Sequence, residues 1–197
     1  MKCLEQHNNH WPRRALHLCI GLAPLIYYWF FDTLSLWTGL SSLNLLFILA
    51  FGMILVESER LYSGRLYFSQ REYERVHLSS GIWTGLGLIT VFIFAPAYNG
   101  HKAAFGLPII WCLTLGDPLI GECRQAGLSM VTTIAVALFP LTLIWLIACF
   151  WFSLPLWLVC VLPALAIAGE WPSIKWIDDN FMMMCVPLVF TCLIFSS

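Results

Sequence analysis

The chain has 197 residues, 60% of them hydrophobic and only 11% charged, with a formal net charge of −1. Soluble domains carry about 25% charged residues, and a core of ordinary size cannot hide this much apolar surface. The composition therefore excludes an ordinary soluble globule and points to one membrane-embedded domain over 1–197. A balance this close to neutral offers nothing to nucleic acid, and eight Cys without a Cys-x-x-Cys pair do not describe a zinc site.

Along the chain, MKCLEQHNNHWPRR precedes an apolar run in the manner of a signal peptide. The stretch GLAPLIYYWFFD is too bulky for a cleavage site, so the run is read as a first transmembrane helix. A helix crosses a bilayer with about 20 apolar residues. On that basis an all-α polytopic fold is expected, with about seven transmembrane helices at 15–31, 34–56, 80–98, 103–121, 127–150, 153–169 and 181–196. The fourth contains Pro108 and Asp117, and the fifth and sixth divide near Phe152 to Pro155. Membranes tolerate such breaks where neighbouring groups satisfy the backbone. The longest polar segment, 57–79, has helical spacing with interleaved aromatics and reads as a cytoplasmic interfacial segment.

Charge placement orients these spans. With the N-terminus inside, the inner face carries Lys2, Arg13, Arg14, Arg60, Arg65, Arg71, Arg75, Arg124 and Lys175, and the outer face only Lys102. This bias predicts a cytoplasmic N-terminus. The acids sort the same way, with Asp32 the one acid placed outside. Acids do not ordinarily follow that rule, so the inner face reads as the one that binds something or does chemistry.

Four polar clusters lie on that face. Arg13, Arg14 and His17 fall at helical spacing at the start of the first span. The arginines suit headgroup snorkelling as well as ligand binding, while His17 sits one turn inside. Glu57 and Arg60, then Arg71, Glu72, Glu74 and Arg75, suit a solvated, salt-bridged surface helix. Gly116-Asp117-Pro118, followed by Glu122 and Arg124, places a carboxylate near the inner end of an apolar span, where it needs a cation, a metal or water. The last, GEWPSIKWIDDN at 169–180, holds Glu170, Lys175, Asp178, Asp179 and Asn180. Helix capping accounts for one residue of the Asp-Asp-Asn set and leaves Glu170 unexplained. Several acids and several cations on one face suit a phosphate-bearing ligand with Mg²⁺. The inventory is sufficient in kind for phosphoryl transfer, and no GxxxxGK[ST] loop is present.

The order of these motifs resembles the CTP-dependent polyprenol and lipid-alcohol kinases: dolichol kinase, phytol kinase and the CTP-dependent diacylglycerol kinase. The residues that carry the likeness are Arg13, Arg14, His17 and Gly21 at the first span, then Glu57 and Arg60. Next come Arg71, Glu72 and Glu74 leading to Ser80-Gly81, then Gly116-Asp117, and finally Glu170 with Asp179-Asn180. The resemblance implies transfer of the γ-phosphate of CTP, or another nucleotide, to an isoprenoid alcohol or diacylglycerol. It implies Asp117 with Asp178 or Asp179 as Mg²⁺ ligands, and His17 or Glu170 as the base, alongside Asp179. Arg13, Arg14, Arg60, Arg71, Arg124, Lys175 and Asn180 are implied on the nucleotide side. Where that family has a Gly-rich stretch and a Lys-Ser after the Gly-Asp, this chain has GECRQAGLSM, with Ser129 but no Lys. Arg124 stands nearest, although a forked guanidinium and a point ammonium are not equivalent.

A CDP-lipid-forming cytidylyltransferase and a non-catalytic or transport relative are the alternatives. The short loops and lack of a transit peptide read as a bacterial inner membrane protein with its working face in the cytoplasm.

Overall fold

A computed structural model of the protein describes residues 10–67, 70, 72–171 and 176–195, with side chains from 15 onward except 72 and 73. The described residues form eight α-helices: α1 (His10–Ile20), α2 (Ala23–Thr38), α3 (Ser42–Ser63), α4 (Ser80–Phe94), α5 (Ala103–Gln125), α6 (Met130–Phe152), α7 (Leu158–Glu170) and α8 (Asp179–Phe195). A 3-10 turn at Glu72–Arg75 lies between α3 and α4. Four stretches are long and apolar enough to cross a membrane: Ala15–Thr38, Ser42–Ser63, Ala103–Gln125 and Met130–Phe152. The apolar helices α4, α7 and α8 are shorter.

Local chemistry sets the boundaries. Ser41, Ser79 and Ser129 sit in extended conformation and accept the amides of Asn44, Ile82 and Thr132, capping α3, α4 and α6. Gly39 (φ 70°) and Gly64 (φ 63°) close α2 and α3 in the left-handed region that glycine enters without strain. These caps correct the expected division between the first two spans. The turn falls at Gly39–Ser41 rather than just past residue 31, and α3 runs on to Ser63 through what was expected to be interfacial chain. The break between α6 and α7 falls where the sequence placed it, with Ser153 at φ 56° ahead of Pro155. Pro108, Pro118, Pro140, Pro163 and Pro187 all lie inside helices. Packed neighbours make that tolerable.

The helix α5 is the axis of the bundle and touches α1, α2, α4, α6, α7 and α8. Its apolar window is 72% buried, against 11% for α3, so α5 is enclosed by protein and α3 shows most of its surface to the surroundings. Around α5 the chain packs α6 on α7, α7 on α8 and α8 on α4. Phe105, Ile109, Leu141, Trp145, Leu162 and Met183 fill the centre. Lipid is as apolar as leucine, so close packing holds such helices together. Gly169 shows how close: a Cβ there would lie 2.6 Å from the backbone oxygen of Met182 on α8.

Contacts pin the two ends of the bundle. At one end Tyr27 stacks on Phe92, Cys192 reaches the Phe94 carbonyl, and Lys102 lies 3.9 Å from Asp32. At the other end meet the last turn of α1, the end of α3, the start of α4, and the later turns of α5 and the end of α7 with the start of α8. That second end is the polar one.

Candidate functional site

The site begins with the fit of α1 on α5. Gly21 closes α1, and its carbonyl accepts the indole Nε1–H of Trp111 at 2.9 Å. A Cβ on Gly21 would lie 3.0 Å from the Leu18 carbonyl oxygen of its own helix and at an ordinary 3.4 Å from Thr114 Oγ1, so α1 and α5 are in van der Waals contact here. The helices run antiparallel. One turn back along α1 from Gly21, and one turn on along α5 from Thr114, the chain brings His17 Nε2 to 3.5 Å from Asp117 Oδ2. His17 is buried, and Asp117 keeps a partly exposed carboxylate.

Next to this pair lies the end of α7. Arg124, on the last turn of α5, donates Nη1 to Glu170 Oε1 at 2.8 Å and stacks over Trp171 at 5.2 Å. Glu170 is buried, and its Oε2 has no hydrogen-bond partner among the described residues. Asp117 and Asp179 both lie within electrostatic reach of it. The pairing leaves Arg124 about half exposed, so its remaining donors are open to a ligand.

The third part joins α4 to α8. Asp178 caps α8: its carbonyl accepts the Met182 amide at 3.3 Å and its Oδ1 accepts the Asn180 amide at 3.0 Å. The same Oδ1 accepts the Ser80 hydroxyl at 3.2 Å. Burial, and then the charge of the adjacent Asp179, push the Asp178 carboxyl up to about 7. Asn180 is fully buried and donates Nδ2 to Ser80 Oγ at 2.8 Å and to Thr84 Oγ1 at 3.2 Å. Asp179 Oδ1 also accepts the Asn180 amide, at 3.1 Å, so both aspartates serve the start of α8, and the charge of Asp179 is felt at Glu170.

The expected surface charges of Glu57 and Arg60 are a correction. Arg60 is fully buried. It donates Nε and Nη2 to the two oxygens of Glu57 at 2.9 and 2.7 Å, and Nη1 and Nη2 to the carbonyls of Glu74 and His77 at 2.6 and 2.7 Å. Glu57 also accepts the amide and hydroxyl of Ser79, at 2.6 and 3.0 Å. A guanidinium so engaged is no phosphate ligand; it pins the end of α3 to the start of α4. Buried ions need this many partners, which is why a solvated helix does not describe the segment.

Of the residues expected to act together, the structure gathers His17, Asp117, Arg124, Glu170, Asp178, Asp179 and Asn180. The side chains of Arg13 and Arg14, together with Arg71 and Lys175, lie outside the described residues. Thr84, Trp111 and Trp171 joined the site without being anticipated. On α4 the motif order marks Ser80-Gly81 and the Ser-Ser of LSSG is a cap signal, but nothing marks Thr84. Among the described residues no three His, Cys, Asp or Glu side chains converge as a metal-holding group. The donors still fit Mg²⁺, which commonly takes one or two carboxylates and leaves its other places to water and phosphate. The unpartnered, buried Glu170 Oε2 beside two further acids is the arrangement a cation relieves. No protein-family model matches the chain, and comparison with curated proteins and with solved structures yields no match.

Proposed function

We propose that the protein is a membrane lipid-alcohol kinase, transferring the γ-phosphate of CTP or another nucleotide to an isoprenoid alcohol or diacylglycerol at the cytoplasmic face of a bacterial inner membrane. One observation carries this reading: buried Glu170, its Oε2 unpartnered, is held through Oε1 by half-exposed Arg124 within electrostatic reach of Asp179 and of Asp117, which pairs with His17, at one end of an apolar bundle. Acids beside a cation at the edge of the bilayer suit a headgroup reaction on a substrate whose tail lies among the spans.

In the transfer, the alcohol oxygen forms a bond to the γ-phosphorus and the bond from that phosphorus to the β-γ bridging oxygen breaks, releasing the nucleoside diphosphate. The alcohol proton goes to Glu170 Oε2 or to His17. Arg124 meets negative charge on the phosphates. Mg²⁺ held by Asp117 and Asp179 would supply neutralisation of the triphosphate. Asp178 stands behind them as the cap of α8.

Purified protein in lipid nanodiscs, given CTP or ATP with farnesol, phytol, undecaprenol, dolichol or diacylglycerol, tests the proposal. A phosphorylated lipid with nucleoside diphosphate supports it, provided that Asp117→Asn and Asp179→Asn abolish the product. Pyrophosphate release supports the cytidylyltransferase alternative. No nucleotide-dependent product with any alcohol supports a non-catalytic or transport relative. Glu170→Gln and His17→Asn identify the base: its loss lowers turnover roughly 10²–10⁴-fold with the nucleotide KM unchanged.

A further inference from the structure

The two neighbours of Asp179 are both tied to α4. Ahead of it, Asp178 Oδ1 receives the Ser80 hydroxyl; after it, the Asn180 side-chain Nδ2 donates to Ser80 Oγ and Thr84 Oγ1. With Asp178 ionised, the protons in this cluster have one consistent arrangement. Thr84 donates its hydroxyl to the Ser80 carbonyl at 2.9 Å, and Ser80 donates to Asp178, so each hydroxyl oxygen is left as an acceptor. Both acceptors require N–H from Asn180, which sets which end of the amide faces α4. Asn180 Oδ1 is then left buried with no partner among the described residues. A native structure does not strand a buried acceptor without cause, and a bound ion or ligand is one such cause.

We propose that Ser80 and Thr84 are positioning residues: by gripping Asp178 and Asn180 they hold Asp179 towards Glu170 and Asp117, and they leave Asn180 Oδ1 as the acceptor for whatever completes the site. This rests on the phosphoryl-transfer reading for the identity of what is held, and on the hydrogen bonds alone for the grip. Ser80 itself is fixed from behind. Its amide donates to Glu74 Oε2 at 3.4 Å, and its neighbour Ser79 is bound by Glu57. A continuous hydrogen-bonded path therefore runs from the end of α3, through the start of α4, to the start of α8.

Mn²⁺ binding to the full chain in nanodiscs, read by electron paramagnetic resonance, tests this. The variants are Ser80→Ala and Thr84→Val, with Ser80→Thr and Thr84→Ser as hydroxyl-retaining controls. Loss of an outer-shell partner weakens metal affinity about 10-fold or more. Ser80→Ala is expected to show that loss, Thr84→Val a smaller one, and both controls to bind as the unaltered chain does. Equal affinity in all five proteins overturns the proposal, as does an equal loss in the controls. If the unaltered chain binds no Mn²⁺, the kinase reading fails, and amide hydrogen exchange over 179–183 decides the grip separately. Exchange that quickens in Ser80→Ala or Thr84→Val and stays slow in the controls upholds it; unchanged exchange in both overturns it.

Discussion

Arg60 and Arg124 show how differently one residue type behaves at two depths. Arg60 is enclosed, with every hydrogen bond made inside the protein, and Arg124 is half exposed with one carboxylate partner. Removing one member of a buried ion pair strands the other, so Arg60→Ala is expected to destabilise the protein by about 3–5 kcal/mol. The double replacement Glu57→Gln with Arg60→Met removes both charges and is expected to recover most of that loss. Unfolding titrated with sodium dodecyl sulfate checks both, and equal stability of the two variants would contradict the account. The residue types at this site were legible in the sequence, since carboxylates near the end of an apolar span need partners. Their partners were not legible. Nothing in the spacing of Glu57 and Arg60 says whether the pair faces water or Ser79, because the same helical interval serves either environment.

At the scale of the elements, glycine placement separates tight contacts from open ones. Gly169 lies where α7 meets the α8 backbone, and Gly52 on α3 has nothing within 4 Å of an added Cβ. Gly169→Ala must push two helix backbones apart, at a cost of about 1–3 kcal/mol. Gly52→Ala is expected to be neutral or to stabilise by up to about 1 kcal/mol through helix propensity. Thermal unfolding of the two variants in matched micelles tests the contrast; a Gly169→Ala protein as stable as Gly52→Ala would show that α7 and α8 are not so closely apposed. The break between α6 and α7 was legible near Phe152 to Pro155, whereas α6 starts at Met130, behind the Ser129 cap, and not at 127 as expected. The helix ends were misplaced between α2 and α3, because Thr33 to Leu40 is apolar enough to continue a helix and only Gly39 at φ 70° ends it.

For the whole molecule, the alternation of the helices brings the described members of the polar clusters to one end, while Asp32 and Lys102 share the other. If the bundle crosses the membrane in the orientation the positive charges favour, cysteines introduced at Asp32 and at Glu122 will react with an impermeant maleimide from opposite sides. In intact cells Asp32→Cys is expected to label and Glu122→Cys to label only after lysis. The native cysteines are replaced first, since Cys19 and Cys160 are exposed. Labelling of both from outside would reverse the assignment of faces and remove the cytosolic nucleotide from the proposed site.

Composition with the long unbroken apolar runs determined that this chain folds as apolar helices, since such runs satisfy their own backbone in lipid as helices, whereas barrel strands are short and alternate. The placement of its charges between the apolar runs likewise marked which residues belong to the polar end. Tertiary structure decided the rest: that α5 runs through the centre, that Arg60 is a structural pin, and that Asp178 caps α8 and binds Ser80 while the charge of Asp179 reaches Glu170. The reason is physical. Hydropathy and helical period are properties of one segment, but the role of a buried charge depends on which groups from distant segments arrive beside it.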